Sequence, residues 1–515
     1  MNHAVPPPPL SRTKCGSTVN FGEALTGYHG MTPTTDLHKL SATDVVRLLK
    51  ERLVTPLQLV EAAAHRIQAS DPGINAVPIR CFDQARAKAA RWEDSAHKSR
   101  PGYLYGLPIL VKDLTAVKGL PFTLGSRIYK DNIAATNDPL VDVLEDSGAI
   151  VLGKTNTPEF GAGANTFNDV FGKTCNPWDT NLTSGGSSGG SAAALAAGQV
   201  WLATGTDLGG SLRIPASFCG VVGLRPSVGR VPQNFYGEAS SVGELGVHSV
   251  SGPLARNVPD LALFLDAMAH HHPSDPLSRQ PPEVSFSEAI QPGKWPLPSR
   301  VAWSPNLGIA PVDPEVATIC EQAAGWFASM GAELVHDCPE LHDAVDIFQV
   351  LRAAVMAADP AGGAHMRDPG RSLLKPELIW QYEKGFSQTP EEVARAKHAH
   401  KHYVQRVLDF MTRFDLLCCP CVMVAPFDVD IRWIQEVQGT KFSNYVDWLM
   451  MTYAFSLVDV PAISVPCGMT TDGCPVGLQI VGRPQHDAAL LAAAAAFEKA
   501  HPFAGMVPIQ PNEGT

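Results

Sequence analysis

The chain has 515 residues, of which 45% are hydrophobic and 18% charged, the balance of a globular protein with a large core. The formal net charge is −11 and no basic run or stripe is present, which argues against non-specific binding to nucleic acid. The 11 cysteines are scattered over a long chain, so the disulfide framework of a small secreted domain is excluded.

The first 35 residues are rich in proline and contain no apolar signal segment, so we expect a flexible lead-in before the folded part of the chain. The longest apolar stretches, residues 192–197 and 488–497, are too short to span a bilayer. These features predict a cytoplasmic protein that makes no membrane contact.

Helical periodicity follows the lead-in. The pattern predicts two helices over residues 40–69, with Ser41 capping the first and Pro56 beginning the second. A third helix, rich in alanine, arginine and lysine, is predicted over residues 82–97. The first part of the chain is therefore expected to be helical.

From residue 107 the pattern changes to short apolar runs separated by glycine-rich turns and helical stretches. The predicted strands are residues 108–111, 149–152 and 221–224, and the predicted helices between them are residues 139–146 and 191–199. This alternation indicates an α/β domain with a mixed or parallel sheet.

The C-terminal half begins with a segment, about residues 280–450, that is mostly helical by pattern and is predicted to be a cap or insertion. It contains the cysteine cluster of residues 418–421, which lacks further ligands at zinc-like spacing and is predicted to be a buried strand end. Two strands, 461–466 and 476–481, joined by a Thr-Asp-Gly turn, and a closing helix over 488–500 complete the chain.

Two glycine-rich segments contain serines of chemical interest. Residues 185–190 read GGSSGG and residues 207–215 read DLGGSLRIP, which places Ser187 and Ser211 24 positions apart. A serine hydroxyl is a weak nucleophile until a nearby base takes its proton, and a glycine-rich backbone can present bare N–H groups to an oxyanion. The two segments therefore favour acyl transfer.

Lys112 is the candidate base. It stands in the apolar run 107–113, 75 positions before Ser187. A buried lysine favours its neutral form and can then accept a proton, whereas a lysine at an exposed strand edge would stay charged. The residues alone leave both possibilities open.

The two serine segments closely resemble the amidase signature family. Residues 185–198 read GGSSGGSAAALAAG and residues 203–216 read ATGTDLGGSLRIPA, and the spacing from Lys112 also agrees with that family. Similarity extends from about residue 35 to 269 and returns near 460–479, but it is poor between about 280 and 440. The resemblance implies a large mixed sheet with helices on both faces and a helical insertion.

The resemblance also implies roles for individual residues. Ser211 matches the acylated nucleophile, Ser187 the bridging serine that follows a cis peptide bond, and Lys112 the general base. The remaining matches are the oxyanion hole at Leu208, Gly209 and Gly210, supporting positions at Ser188, Asp207 and Arg213, and an acyl pocket at Phe160, Gly161 and Ala162. No metal and no cofactor is expected.

The organisation implied by the family is one amidase domain, residues 36–515, with its catalytic motifs between 106 and 232. The expected activity is hydrolysis of a small carboxylic amide through an acyl-enzyme, releasing carboxylate and ammonia or an amine. Two alternatives stay open: the glutaminase-type A subunit of a tRNA-dependent amidotransferase, and an esterase or carbamate hydrolase with the same triad. A homodimer is possible, and no nucleic-acid partner is expected.

Two other sequence patterns suggest different chemistry. Residues 185–189 fit the G-x-S-x-G elbow of α/β-hydrolases, but the preceding residues 177–181 are polar and turn-like where that elbow needs a strand. Residues 148–155 fit the phosphate-binding loop, but their apolar centre predicts a strand. Both patterns are therefore weaker than the amidase resemblance.

Several other side chains have a structural alternative that we favour. His398 and His402 share a helix face, which is predicted to be solvated rather than to hold a metal. Arg213 could bind a substrate carboxylate, but a pair with Asp207 is the favoured interpretation. Core packing rather than a substrate cleft is favoured for the large aromatic residues Trp380, Tyr382, Phe386, Trp433 and Trp448.

Overall fold

The computed structural model describes residues 37–94, 97–234, 248–358, 360–501, 503 and 506–511. The proline-rich lead-in predicted for residues 1–35 lies outside this part of the chain. Among the described helices, none has both the length and the apolar composition that crossing a bilayer requires.

Seventeen strands are formed within the described residues. Their bounds are β1 Ile79–Arg80, β2 Pro108–Lys112, β3 Ile150–Thr155, β4 Phe167–Asn168, β5 Gly172–Lys173, β6 Cys175–Asn176, β7 Asp179–Thr183, β8 Leu202–Asp207, β9 Val222–Arg225, β10 Val250–Ala255, β11 Arg300–Trp303, β12 Glu333–His336, β13 Leu416–Pro420, β14 Glu436–Val437, β15 Thr440–Lys441, β16 Ala462–Met469 and β17 Pro475–Gly482.

Fifteen α-helices accompany them in the described residues. Their bounds are α1 Ala42–Lys50, α2 Pro56–Ser70, α3 Phe82–Ala90, α4 Pro139–Asp146, α5 Gly189–Ala196, α6 Arg213–Cys219, α7 Val258–Met268, α8 Phe286–Ala289, α9 Pro314–Ser329, α10 Ala344–Ala358, α11 Pro360–His365, α12 Pro376–Ser387, α13 Pro390–Thr412, α14 Met450–Ser456 and α15 Asp487–Ala500.

Eleven of the strands form one central sheet in the order β1-β3-β2-β8-β10-β9-β16-β17-β13-β11-β12. The β3-β2-β8 group is parallel, as is the β13-β11-β12 group, and the pairs between these groups are antiparallel. The fold is therefore α/β with a large mixed sheet, which confirms the predicted class.

Both faces of this sheet are covered. Successive side chains of a strand point to opposite faces, and in β13 Leu416 and Cys418 belong to one buried cluster while Leu417 and Cys419 belong to another. We call the cluster containing Leu416 the main core and the one containing Leu417 the second core. Because both faces need apolar side chains, β13 is an unbroken apolar run, and the predicted buried strand end at the cysteines is confirmed.

Capping residues fix the first helices where the sequence predicts them. The Ser41 hydroxyl accepts the Asp44 N–H at the start of α1. Thr55 and Gln58 form a reciprocal capping box at the start of α2, with Pro56 in its first turn. Helix α3 is shorter than predicted and ends at Ala90, after which Trp92 packs against the main core.

The segment 280–450 is largely helical, as predicted, but it is not only a cap. It also contributes β11, β12 and β13, which form one end of the central sheet. The buried strand end at the cysteine cluster, in β13, was predicted. The apolar residues of β11 and β12 are short runs between long helices, so the sequence pattern alone did not separate those two strands from the helices. Helices α10, α12 and α13 of this segment pack in the second core, together with residues that follow it such as Tyr453 and Phe455, whereas α8 and α9 pack in the main core.

Candidate active site

Lys112 is the last residue of β2 and its side chain is completely buried. Its Nζ lies 2.6 Å from Ser187 Oγ, 2.9 Å from Ser188 Oγ and 2.9 Å from Thr206 Oγ1. No carboxylate among the described residues comes within ion-pair distance of this amine. Burial lowers the pKa of Lys112 well below its usual value, and the charge of Asp207 opposes this only in part. The buried alternative of the two left open by the sequence is therefore the correct one.

Ser187 and Ser188 lie in the tight turn that leads into α5, and the Gly186–Ser187 peptide bond is cis, as the resemblance implies. The glycines of this turn are required by close packing. A Cβ on Gly189 would lie 2.3 Å from Thr166 Oγ1, and one on Gly190 would lie 2.5 Å from the Asn156 nitrogen. Helix α5 is fully buried behind the turn and fixes its position.

Ser211 lies between the end of β8 and the start of α6, which brings it next to the first serine turn. The Ser188 N–H donates to the Ser211 carbonyl oxygen at 3.2 Å. Ser187 and Ser211 line the same cavity, but no hydrogen bond between their hydroxyls occurs among the described contacts. The roles implied by the resemblance require the Lys112 amine to contact the Ser187 hydroxyl and the Ser187 hydroxyl to contact that of Ser211. The first contact is formed in this structure and the second is not.

The turn before Ser211 contains the three residues matched to an oxyanion hole. The Gly210 N–H donates to Asp207 Oδ1 at 2.8 Å, so this amide is engaged within the turn rather than directed at a substrate. The Gly209 N–H has no acceptor among the described residues, and Gly209 and Leu208 both line the cavity. In this conformation the donors available to an oxyanion are therefore at Leu208 and Gly209.

Asp207 anchors the turn from behind. Arg213 binds its carboxylate with Nε at 3.0 Å and Nη2 at 2.9 Å, and both side chains are fully buried. Burial alone would raise the pKa of Asp207, but the adjacent Arg213 and Arg225 guanidinium groups lower it to about 2. Arg213 also donates to Gln479 Oε1 at 2.6 Å, so its role is structural, and the pair with Asp207 favoured from the sequence is formed.

A cavity of about 410 Å³ opens beside the serines, a volume typical of small-molecule sites. Phe160, Gly161 and Ala162 line it, at the place where the resemblance puts an acyl pocket. A Cβ on Gly161 would lie 3.4 Å from Ser187 Oγ, so this loop directly borders the bridging serine. Aromatic side chains make up much of the wall: Phe122, Tyr129, Phe160, Phe348, Tyr382 and Tyr445.

The five large aromatic residues considered from the sequence have different surroundings in the structure. Tyr382 lines the cavity, whereas Trp448 is buried in the second core. Trp380 packs edge-on against Tyr445, with ring centroids 5.9 Å apart. Phe386 is 49% exposed on the outside of α12. Trp433 packs against the second core. Of the five, only Tyr382 lines the cavity, and the favoured core packing is wrong only for Phe386.

Several residues of the site were not found from the sequence. Thr206 contacts the Lys112 amine from the neighbouring strand β8. Tyr129 and His365 join across the cavity wall, with the phenol oxygen 3.0 Å from Nε2, and His365 stacks on Phe160. The alternation of side-chain direction along β8 was the only sequence signal that could have indicated Thr206. Tyr129 and His365 come from distant parts of the chain, so no local pattern could have indicated them.

The residues of the two competing motifs have structural roles. Lys154, which matched the phosphate-loop lysine, lies in β3, is fully buried and binds Asp113 Oδ1 at 2.5 Å and the Pro121 carbonyl oxygen at 2.8 Å. The phosphate-loop interpretation is therefore wrong. A short strand, β7, does precede the Ser187 turn, contrary to our expectation. It pairs with β6, forms an isolated bridge from Leu182 to Asp428, and lies outside the central sheet.

The histidine pair predicted to share a helix face lies on α13. His398 Nε2 lies 3.1 Å from His402 Nε2 on an exposed face. In the described part of the chain no group of three or more His, Cys, Asp or Glu side chains is arranged to hold a metal ion.

Comparison with known proteins agrees with this geometry. The family model described as Amidase matches residues 58–491. The chain belongs to the amidase signature family. It is 37% identical over 479 residues to an acylamidase from Rhodococcus erythropolis, covering 92% of this chain and 98% of that protein.

This amidase also resembles members of the family with other roles. It is 34% identical over 488 residues to the A subunit of glutamyl-tRNA(Gln) amidotransferase from Anaeromyxobacter dehalogenans (strain 2CP-C), covering 91% of this chain and 97% of that protein. The crystal structure of a bacterial aryl acylamidase of the amidase signature family superposes with a TM-score of 0.83 at 29% identity, over 92% of this chain and all of that one. The amidase therefore hydrolyses a carbon–nitrogen amide bond.

Proposed function

We propose that Lys112, Ser187 and Ser211 form the catalytic triad and that the substrate is a small amide with an apolar or aryl group next to the scissile bond. The observation that carries the proposal is the 2.6 Å contact between a buried, carboxylate-free Lys112 amine and Ser187 Oγ. A neutral amine in this place can accept the proton of a serine at ordinary pH.

The reaction begins with proton transfer along the triad. Ser211 Oγ attacks the amide carbonyl while its proton passes to Ser187, whose own proton passes to Lys112. The mechanism requires the hydroxyls of Ser187 and Ser211, which line the same cavity, to come into hydrogen-bond distance when substrate binds. Hydrogen bonds of this kind are often long in an empty site and shorten in the substrate complex.

Charge then develops on the carbonyl oxygen. The free Gly209 N–H and the neighbouring Leu208 N–H are the donors proposed to stabilise it, and one such donor typically contributes about 3–4 kcal/mol to transition-state binding. The proton returns from Lys112 through Ser187 to the leaving amine. Water then attacks the ester formed on Ser211, releases the carboxylate and restores the hydroxyl.

The cavity supports the choice of substrate. Six aromatic side chains line it, and burying the apolar surface of a ligand against such a wall makes the free energy of binding more favourable. Glutamine, the substrate that an amidotransferase A subunit would use, has no aryl or large apolar group to bury against such a wall. We therefore place aryl and hydrophobic acyl amides ahead of glutamine.

The test is hydrolysis of a nitroanilide and of glutamine by the purified protein, followed by the release of nitroaniline or ammonia. The nitroanilide should be the better substrate, and Ser211→Ala should abolish its turnover. Labelling with phenylmethanesulfonyl fluoride should place the sulfonyl group on Ser211, as located by peptide mass spectrometry. Full activity of the Ser211→Ala protein, or a label on another serine, would refute the assignment.

A matched control separates chemistry from folding. Ser217 is also buried and its hydroxyl accepts the Gly477 N–H at 2.8 Å, away from the cavity. Ser217→Ala removes the same atoms from the interior and should cost stability without removing the sulfonylation site.

A further inference from the structure

Arg352 is a positively charged side chain in the wall of the cavity. It belongs to α10, is 7% exposed and lines the cavity beside Phe348 and Tyr445. Its Nη1 donates to Gln381 Oε1 and its Nη2 donates to the Tyr445 hydroxyl. Both partners are neutral, so neither compensates the charge.

No Asp or Glu among the described residues forms an ion pair with Arg352. The acidic side chains of this region have other partners: Glu377 is held by Arg432 at 2.7 and 2.6 Å, and the Glu159 carboxylate accepts the Ser126 hydroxyl at 2.6 Å. A buried charge without an opposite charge is costly to the fold. Its presence in a cavity wall therefore indicates that the opposite charge comes from the ligand.

The buried Arg213 shows the contrast, because it is paired with the Asp207 carboxylate and does not line the cavity. Arg66 also has only neutral partners, including the Ala197 and Ile509 carbonyl oxygens, but it does not line the cavity. What distinguishes Arg352 is therefore the combination of neutral partners and a place in the cavity wall. Among the described residues that line the cavity, Arg352 is the only lysine or arginine.

The position of Arg352 relative to the serines follows from its helix. Phe348 and Arg352 are one turn apart on the same face of α10, about 6 Å along the axis. The Phe348 ring lies 3.3 Å from the position of a Cβ on Gly209, so this face of the helix reaches the turn that carries Ser211. Arg352 therefore lines the same cavity as that turn.

The other side of Arg352 reaches the acyl-pocket loop. Tyr445, which accepts its Nη2 proton, lies 3.7 Å from the position of a Cβ on Gly163, two residues beyond Gly161. The guanidinium carbon also lies 5.2 Å from the centre of the Tyr445 ring. Arg352 is thus held between the two chain segments that border the reacting hydroxyls.

We propose that Arg352 recognises a carboxylate carried by the substrate, a few bonds from the scissile carbonyl. A guanidinium has five N–H donors, of which two are used by Gln381 and Tyr445, so three remain for an anion. The substrate class is then an amide of a dicarboxylic acid, or an acylated amino acid, whose apolar part contacts the aromatic wall. This inference rests on the proposed function of the same cavity.

The experiment compares matched anilides. One set carries a terminal carboxylate (the monoanilides of succinic, glutaric and adipic acids) and the other ends in a methyl group at the same length. For the best length, wild-type kcat/KM should favour the carboxylate by at least about 10-fold, the range expected of hydrogen bonds to a charged group. The same comparison with acetylated aminobenzoate and acetanilide places the carboxylate on the leaving group instead, and a preference in either comparison supports the subsite.

Variants of Arg352 then test its part in that preference. Arg352→Met should bring the ratio of the two kcat/KM values close to one, mainly through KM, and Arg352→Lys should retain part of it. Arg371→Met is the control, because Arg371 is exposed, pairs with Glu383 and does not line the cavity. It should leave the ratio unchanged.

Binding in a protein that lacks the nucleophile separates this inference from the proposed function. Calorimetric titration of Ser211→Ala with the matched pair for which the wild type shows the preference, glutaranilate and pentananilide or acetylated aminobenzoate and acetanilide, measures the same preference without turnover. The double variant with Arg352→Met should lose it. Equal binding of the two ligands by Ser211→Ala would overturn the role of Arg352. So would an equal loss for both ligands in the double variant, because that is the result of a purely structural arginine.

Discussion

Replacing Lys112 with methionine should change how the stability of the protein depends on pH. The amine is completely buried, contacts three hydroxyls and has no carboxylate partner among the described residues. Desolvation lowers its pKa in the folded protein well below the ordinary value. The side chain must therefore lose its proton when the chain folds at moderately alkaline pH, and this loss costs free energy.

The size and sign of the effect follow from linkage. A lysine in the unfolded chain has a pKa of about 10.4. Between the folded and unfolded pKa values of Lys112 the unfolded state binds one more proton, so the free energy of unfolding rises with pH by about 1.4 kcal/mol per pH unit. In this interval the wild type should gain stability relative to Lys112→Met as the pH rises toward the pKa of the unfolded lysine, with a slope of at most about 1.4 kcal/mol per pH unit.

The assay is urea unfolding of both proteins at several pH values in that range. All other titrating groups are common to the two chains, so their contributions cancel in the difference. Ser211→Ala should follow the wild type, because it is inactive but keeps the lysine. A difference between wild type and Lys112→Met that does not change with pH would mean that Lys112 is charged in the folded protein, and the neutral-base mechanism would fail.

Two further substitutions test the supports of the site. Gly161→Ala adds a methyl group 2.7 Å from Leu114 Cδ1 and 3.4 Å from Ser187 Oγ, at a residue with φ +69°. It should lower kcat/KM about 100-fold, as a displacement of about 1 Å does. Gly163→Ala, at a residue that also has a positive φ, has no contact closer than 3.7 Å and should lower kcat/KM much less, and equal losses would contradict the proposal. Asp207→Asn leaves the buried Arg213 guanidinium unpaired and should lower the free energy of unfolding in urea by about 3–5 kcal/mol. The control Asp430→Asn removes an exposed carboxylate and should lower it by at most about 1 kcal/mol. A similarly small decrease for Asp207→Asn would contradict the anchoring role of Asp207.

Local patterns in the sequence were sufficient for much of the fold. Helix α4 has the predicted bounds because Asp138 caps it by accepting the Leu140 N–H and proline follows the cap. Strands β16 and β17 were predicted because each is apolar and a turn separates them. In these cases the signal lies within a few residues of the element it determines.

The remaining features depend on contacts between distant parts of the chain. Thr206 reaches the Lys112 amine only because β8 pairs in parallel with β2, a register that no local pattern contains. Arg352 and Tyr445 meet across almost a hundred residues, and the strands β11 and β13 join the sheet from within a helical segment. The resemblance implied the residues of the proposed triad, but it could not identify Phe348 and Arg352 in the cavity wall, because similarity was poor in that segment.

The two walls of the cavity have separate origins in the chain. Lys112, Ser187 and Ser211 are fixed to the end of the sheet formed by β2, β8 and the buried α5, whereas Phe348, Arg352 and Tyr445 belong to helices and loops of the segment 280–450. Substitutions in that segment can reshape the pocket without moving the proton path. The same catalytic residues can thus act on different amides when the residues facing them are substituted. A change of substrate preference among related amidases is therefore expected to appear as substitutions between residues 280 and 450.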